Sequence, residues 1–289
     1  MKKILSLVLV LMMGITMLSG CGSKGETTDE AETKTNENTL SGKIVIAGST
    51  SVQPLSEELA AVFMEKYPEV SVEVQGGGSS VGVKSAADKI ADIGAASREI
   101  KESEKSLGLT EYVIAKDGIA VVVNPSNKVS DLSLDQIKKI FTGAITNWKE
   151  VGGEDQAITV VSREEGSGTR GAFVEITKIE EKNAEGKNMD NTTKNALVQP
   201  STGAVKQTVS NTPDAIGYIS MGAMDETVKG VKVESVEATE ETAKAGTYKI
   251  ARPFNYLTNG EESEVVKAYI TFVLNEGQEI VKEEFISVK

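Results

Sequence analysis

The chain has 289 residues, with 31 lysines and arginines against 43 aspartates and glutamates and a formal net charge of −12. That acidic balance, with no clustered basic run, excludes nucleic acid as a partner class. There is no histidine and a single cysteine, which excludes a Ser-His-Asp triad, an intramolecular disulfide and any cysteine-based metal site.

Residues 1–20 read as a cleavable leader: Lys2 and Lys3, an apolar run from Ile4 to Leu18, then Leu18-Ser19-Gly20-Cys21. The tetrapeptide resembles the lipobox of bacterial lipoproteins, which implies a lipid on Cys21 and an extracytoplasmic, membrane-anchored protein. A leader with an incidental cysteine is the plainer alternative. Residues 21–42 are rich in Gly, Ser, Thr, Asn, Glu and Lys, cannot offset the entropy of ordering, and read as a tether. No later apolar run is long enough to span a bilayer.

From Lys43 the pattern is globular, and the length allows two domains. Ile44–Ala47 predicts a strand. A helix follows Pro54, with Leu55, Leu59, Val62 and Phe63 on one face, and ends at Tyr67-Pro68. Val70, Val72 and Val74 alternate as a strand running into Gly76-Gly77-Gly78-Ser79-Ser80. A second helix with Val81, Val83, Ala87 and Ile90 inward leads to the strand at Asp92–Ala96. This β-α-β-α-β order predicts a layered α/β lobe with parallel strands. Asp117–Pro125 is a further strand; Leu132, Leu134, Ile137, Ile140 and Phe141 suggest a helix. Residues 179–196 are polar and read as a surface excursion. Ala215–Ser220 and Arg252–Leu257 look extended, and Glu262–Asn275 reads as an amphipathic closing helix.

The stretch Ile158–Phe173 carries the chemistry. A β-branched run passes through Arg163, Glu164 and Glu165 into Gly166-Ser167-Gly168-Thr169 and a helix start. Such a turn aims backbone N–H groups and the positive end of a helix dipole at one spot. Ser167 and Thr169 add hydroxyls, and Arg163 adds a planar fork of donors suited to an oxyanion. Strand alternation makes Glu165, two positions on, the expected orienting partner of Arg163; a surface salt bridge is the bland alternative. Three further loops, 48–51, 76–80 and 95–98, each follow a strand and carry Ser or Thr, and in an open α/β sheet such loops converge.

Other motifs carry less. Gly166-Ser-Gly168-Thr-Arg-Gly171 matches the dinucleotide fingerprint, but Asp190, near the spacing of its acidic partner, lies in the polar excursion. Gly78-Ser-Ser80-Val-Gly82 matches a nucleophile elbow, but without histidine only a Ser80–Lys84 dyad would be left. Trp148 reads as core packing.

With these residues in view, the chain resembles the PstS-type phosphate-binding proteins that deliver phosphate to ABC importers. The resemblance runs over residues 43–289 through Gly48-Ser-Thr-Ser-Val-Gln-Pro54, Gly76-Gly-Gly-Ser-Ser-Val-Gly82, Asp92-Ile-Gly-Ala-Ala-Ser-Arg98, Phe141-Thr-Gly-Ala-Ile-Thr-Asn-Trp148, Arg163-Glu-Glu-Gly-Ser-Gly-Thr169 and Ala215-Ile-Gly-Tyr218. It implies a two-lobed α/β periplasmic-binding fold of type II, with lobe I formed by 43–124 and 239–289 and lobe II by 125–238. It implies inorganic phosphate in the cleft, held by Thr50, Ser51, Ser79, Ser97, Arg163, Ser167, Gly168 and Thr169, with Glu165 orienting the arginine. It further implies a monomer that engages ABC permease subunits, with no cofactor, no metal and no catalysis. Ser97 stands where the family pattern has an acceptor carboxylate. Sulfate or molybdate is therefore the alternative ligand, and a phosphate-dependent sensor or adhesion lipoprotein the alternative role.

Overall fold

The computed structural model describes residues 40–289. The leader expected over 1–20, Cys21 and nearly all of the expected tether lie outside the described residues. Among the described residues no helix is long and apolar enough to cross a membrane.

β1 (Gly42–Gly48), α1 (Gln53–Lys66), β2 (Val70–Gly76), α2 (Ser79–Ala87) and β3 (Ile93–Ala96) form the expected alternation. β1 pairs in parallel with both β2 and β3, as strands joined by crossover helices do. The buried arc of α1 is Leu55, Leu59, Ala60 and Phe63; Val62 falls at its margin and is 38% exposed. On α2 the expected face is partly wrong. Val83 is buried, but Val81 is exposed and Ile90 lies beyond the helix end, whereas Gly82 and Ala86 face the sheet. A Cβ at Gly82 would stand 2.4 Å from the Ala95 carbonyl oxygen. Close approach of helix to sheet, rather than apolar size, selects this face.

α3 (Glu102–Lys105) precedes β4 (Thr110–Val123), which starts earlier than the apolar run at Asp117 suggests. Its first half is exposed at Thr110, Glu111, Val113 and Lys116, so hydropathy alone does not mark it. Leu132 belongs to β5 (Asp131–Leu132), not to α4 (Leu134–Thr142). Ser133 separates them: its hydroxyl accepts from the Gln136 amide, and the Gln136 side chain accepts from the Ser133 amide. β6 (Thr159–Arg163) and α5 (Gly168–Ile176) follow. The polar excursion contains a small hairpin, β7 (Glu180–Lys182) with β8 (Asn188–Asp190). Then come β9 (Leu197–Gln199), α6 (Thr202–Asn211), β10 (Ala215–Ser220), β11 (Lys229–Gly230), β12 (Lys232–Val233), α7 (Glu240–Lys244), β13 (Ala251–Thr258), α8 (Glu264–Leu274) and α9 (Gln278–Glu284).

The strands run in the order β2-β1-β3-β13-β4-β10-β6-β9, with β11 also on β4. Two main cores divide this path into two lobes. Ile44, Leu59, Phe63, Phe254, Tyr256 and Tyr269 fill the first. Ile119, Val121, Phe141, Phe173, Ile216 and Tyr218 fill the second, and Ala120, Val122, Val205 and Val209 form a smaller cluster on the other face of β4. β4 and β13 pass between cores. On β4, Ile114 and Ala115 belong to the first core and Ile119 to the second; on β13, Phe254 belongs to the first, while Ile250, just before the strand, belongs to the second. Tyr248 and Ala243 also sit in the second core. The chain therefore returns to the first core at β13, later than the residue 239 expected from sequence.

Candidate functional site

Arg163 ends β6, and its side chain is 2% exposed. Tyr218 of β10 pins its backbone: the phenol oxygen accepts from the Arg163 amide at 3.2 Å, lies 2.9 Å from the Ser162 hydroxyl, and its ring stacks on Phe173 at 4.1 Å. Burial pushes the Tyr218 phenol up to about 12, against the hydrogen bonds from Ser162 and Arg163.

The guanidinium bonds both oxygens of Glu164, each at 2.9 Å. Glu165 is exposed, so the expected orienting partner is corrected to its neighbour. The alternation that favoured Glu165 ends with the strand at Arg163, and the turn beyond it brings the adjacent side chain back. The same guanidinium donates to the Thr202 hydroxyl through Nη1 and to the Thr50 hydroxyl through Nη2, both at 3.2 Å.

Around this arginine the loops converge. The Ser51 hydroxyl lies 2.8 Å from both Thr169 and Thr202 hydroxyls. The Thr50 hydroxyl accepts from the Thr202 amide at 3.3 Å. Ser79, fully buried, opens α2; its hydroxyl accepts from the Ser97 amide at 3.0 Å and lies 3.3 Å from the Ser97 hydroxyl. Gly168 opens α5 directly against these two: a Cβ there would be 2.2 Å from Ser79 Oγ and 2.7 Å from Ser97 Oγ, so only glycine fits. Three helix N-termini, of α2, α5 and α6, thus meet in one place, each contributing positive dipole ends and short-range donors.

Ser167 is placed differently from its neighbours. It is the N-cap of α5, its hydroxyl accepting from the Arg170 amide at 3.2 Å. Thr202 and Ser49 were not singled out by sequence. The signal for Thr202 is Gln199-Pro-Ser-Thr-Gly203, a strand end followed by a helix start capped by Ser201. Ser49 shares the loop of Thr50 and Ser51, and its hydroxyl donates to Ser97 Oγ at 2.8 Å.

Behind Ser97 stands a buried ion pair. Arg252 of β13 donates to Asp117 of β4 at 3.0 and 3.3 Å and to the Ser97 carbonyl at 3.2 Å. Asp117 also accepts from Ser220 at 2.9 Å. Burial pushes Asp117 up and Arg252 down from their ordinary values, and each partner's charge opposes that. Arg98 is likewise held, bidentate to Glu104 at 2.7 Å on each arm. Burial alone would raise Glu104, but the bonds from Arg98 and the Lys101 amide hold it below its ordinary range.

The competing motifs are otherwise engaged. Asp190 accepts from Arg170 at 2.7 Å, and Lys84 pairs with Asp88 on the surface. The Ser80 amide donates to the Gly166 carbonyl at 3.0 Å. Trp148 is buried and donates to the Asp214 carbonyl. Among the described residues no group of three or more potential ligands could hold a metal.

A model of the PBP superfamily domain matches residues 33–276. The phosphate-binding protein PstS of Bacillus subtilis is 34% identical over 276 residues, covering 93% of this chain and 89% of its own. The chain belongs to the PstS-type phosphate-binding proteins. A second relative with that name, from Borreliella burgdorferi, is 30% identical and aligned over 100% of both chains. Among solved structures, one from Clostridium perfringens with bound phosphate, assigned as the substrate-binding protein of a phosphate ABC transporter, is 47% identical. It superposes with a TM-score of 0.81 over 86% of this chain and 100% of its own. An ABC-type phosphate transport receptor from Vibrio cholerae superposes at 0.70 with 35% identity, covering 85% of this chain and 100% of its own. The family is one of solute-binding proteins.

Proposed function

We propose that this chain captures inorganic phosphate between its two lobes and hands it to the permease of an ABC importer. The observation that carries this reading is the buried Arg163, ringed by hydroxyls from both halves of the chain at three helix N-termini. A tetrahedral anion would take over the bonds that now join these hydroxyls to one another, with Thr50, Ser51, Ser79, Ser97, Arg163, Gly168 and Thr169 as its donors and Thr202 added to them. Ser167 would contribute its proton while its oxygen caps α5. Charge-assisted bonds to a desolvated oxyanion are the strong kind. The hinge of this reading is the level at which β4 and β13 change cores. The protein would act as a monomer, held on the extracytoplasmic face by a lipid on Cys21, and without catalysis of its own. The names of its relatives support phosphate as the ligand.

The test is calorimetric titration of phosphate-stripped protein. Arg163→Ala should weaken phosphate binding at least a hundredfold, since a hydrogen-bonded charge lost from a buried site costs about 3 kcal/mol or more. Circular dichroism should show the variant still folded. Unchanged affinity in a folded variant would remove Arg163 from the site and with it this reading. Sulfate is the second reading, favoured by one observation: a hydroxyl, not a carboxylate, stands at Ser97.

A further inference from the structure

The loop that carries Arg163, Ser167, Gly168 and Thr169 is tied at both ends by one residue, Arg170. β10 pairs with β6 only as far as Ile216 against Val160, so that ladder ends before Arg163. The Glu164 amide bonds the Gln199 carbonyl of β9 at 3.3 Å, so the amide and carbonyl of Arg163 turn the other way. Side chains take the place of the missing strand there. The Tyr218 phenol accepts from the amide at 3.2 Å, and Arg170 Nη1 donates to the carbonyl at 2.7 Å. The Arg170 amide also donates to the Ser167 hydroxyl at 3.2 Å, in the first turn of α5. Arg170 thus clasps the loop, its main chain on the helix cap and its side chain on the strand end.

Asp190 aims this clasp, accepting from Arg170 Nε at 2.7 Å. It ends β8 of the polar hairpin and also accepts from the Thr192 amide and hydroxyl, at 2.8 and 2.5 Å. Burial alone would raise Asp190, but the bonds from Thr192 and Arg170 hold it below its ordinary range. The base of the hairpin is fixed in turn: Ile179 lies in the second core, and its carbonyl accepts from the Asn191 side chain at 3.1 Å. Asp190 matches the charge of Arg170, so what the pair gives the site is shape rather than field.

We propose that Arg170 is a positioning residue for phosphate binding, with Asp190 as its anchor. The clasp sets the 163–169 loop in its anion-accepting shape before the anion arrives, which removes an ordering cost from binding. The inference rests on the phosphate reading and adds two residues that act on that site only through the loop.

Phosphate affinity is to be measured by calorimetry on stripped parent, Arg170→Lys, Asp190→Ala, their double variant and Glu181→Gln. Arg170→Lys keeps the charge, but one ammonium cannot reproduce the two arms of the guanidinium fork. It should raise the phosphate Kd about tenfold, the worth of one charge-assisted hydrogen bond. Asp190→Ala should also raise it, and the double variant should bind no more weakly than Arg170→Lys, because both act through one clasp. Glu181→Gln, which breaks the hairpin's pair with Lys138 of α4, should bind as the parent does. The second readout is amide hydrogen exchange of the phosphate-free proteins. In Arg170→Lys and Asp190→Ala exchange should quicken over 163–170 and not in β1, β4 or β13, and added phosphate should slow it again. Arg170→Lys with the parent's affinity would overturn the proposal. So would exchange that quickens evenly across the sheet, the mark of a merely structural role. Additive losses in the double variant, or a loss in Glu181→Gln equal to that in Asp190→Ala, would overturn it too. Failure of the parent to bind phosphate would instead sink the function proposed above, and the exchange pattern would still decide the clasp.

Discussion

Arg163 brings a full charge into a site where almost none of its side chain meets water, and Glu164 compensates it with two parallel bonds. The Glu164 carboxylate is 29% exposed, so solvent takes part of its role. Glu164→Gln should destabilise the fold by about 1–3 kcal/mol, less than the loss of a fully buried partner. Glu165→Gln, at an exposed position, should change stability by no more than about 0.5 kcal/mol. Because an anion would restore the missing negative charge, added phosphate should raise the melting temperature of Glu164→Gln by more than that of the parent. Thermal unfolding of both variants with and without phosphate checks this. Equal phosphate shifts would mean that Arg163 is compensated from elsewhere.

At the scale of elements, β4 and β13 carry the load of joining the lobes. They are antiparallel partners along most of their length, and both change cores near the level of Asp117 and Arg252. That pair is 0% and 1% exposed at the side chains. Asp117→Asn would leave Arg252 charged without a counter-charge in a dry environment, and unfolding in denaturant should show a loss of about 3–5 kcal/mol. Lys43–Glu73, at 56% and 49% exposure, is the contrast: breaking it should cost no more than about 1 kcal/mol. If the two substitutions prove equally mild, the buried pair is not what ties β4 to β13.

Across the whole molecule, four tyrosines hold the cores together with their phenols out of water: Tyr218, Tyr248, Tyr256 and Tyr269. Burial pushes Tyr218 and Tyr256 up to about 12, and Tyr248 and Tyr269 higher still. In the unfolded chain they ionise near 10. Each raised phenol therefore gives stability that is complete below about pH 10 and drains away as the pH rises through the folded value. By pH 12 each of the first two withdraws about 2–3 kcal/mol. Tyrosinate absorbance should rise in a steep step that coincides with loss of the far-ultraviolet dichroism signal. A rise ahead of unfolding larger than the two partly exposed tyrosines, Tyr67 and Tyr112, can supply would show that the buried phenols are accessible in the native state.

Much of this protein is local and was legible in the chain alone. The β-α-β-α-β run, the turn after Arg163 and the strand at Ala215–Ser220 follow from periodicity and turn chemistry, because each is decided by residues within a few positions of one another. The convergence of the loops at 48–51, 76–80 and 95–98 on Arg163 also follows, because parallel strands place their carboxyl ends on one side. What tertiary structure decided depends on distances the chain cannot express. Glu164 replaces Glu165 because the strand stops at Arg163, two residues short of where alternation would need it to run. Thr202 enters the site because β9 pairs with β6 and sets the start of α6 against Arg163, and Val81 faces outward because Gly82 lets α2 lie flat on the sheet. The donation from Ser49 to Ser97, across 48 positions of sequence, exists only once β1 and β3 lie side by side.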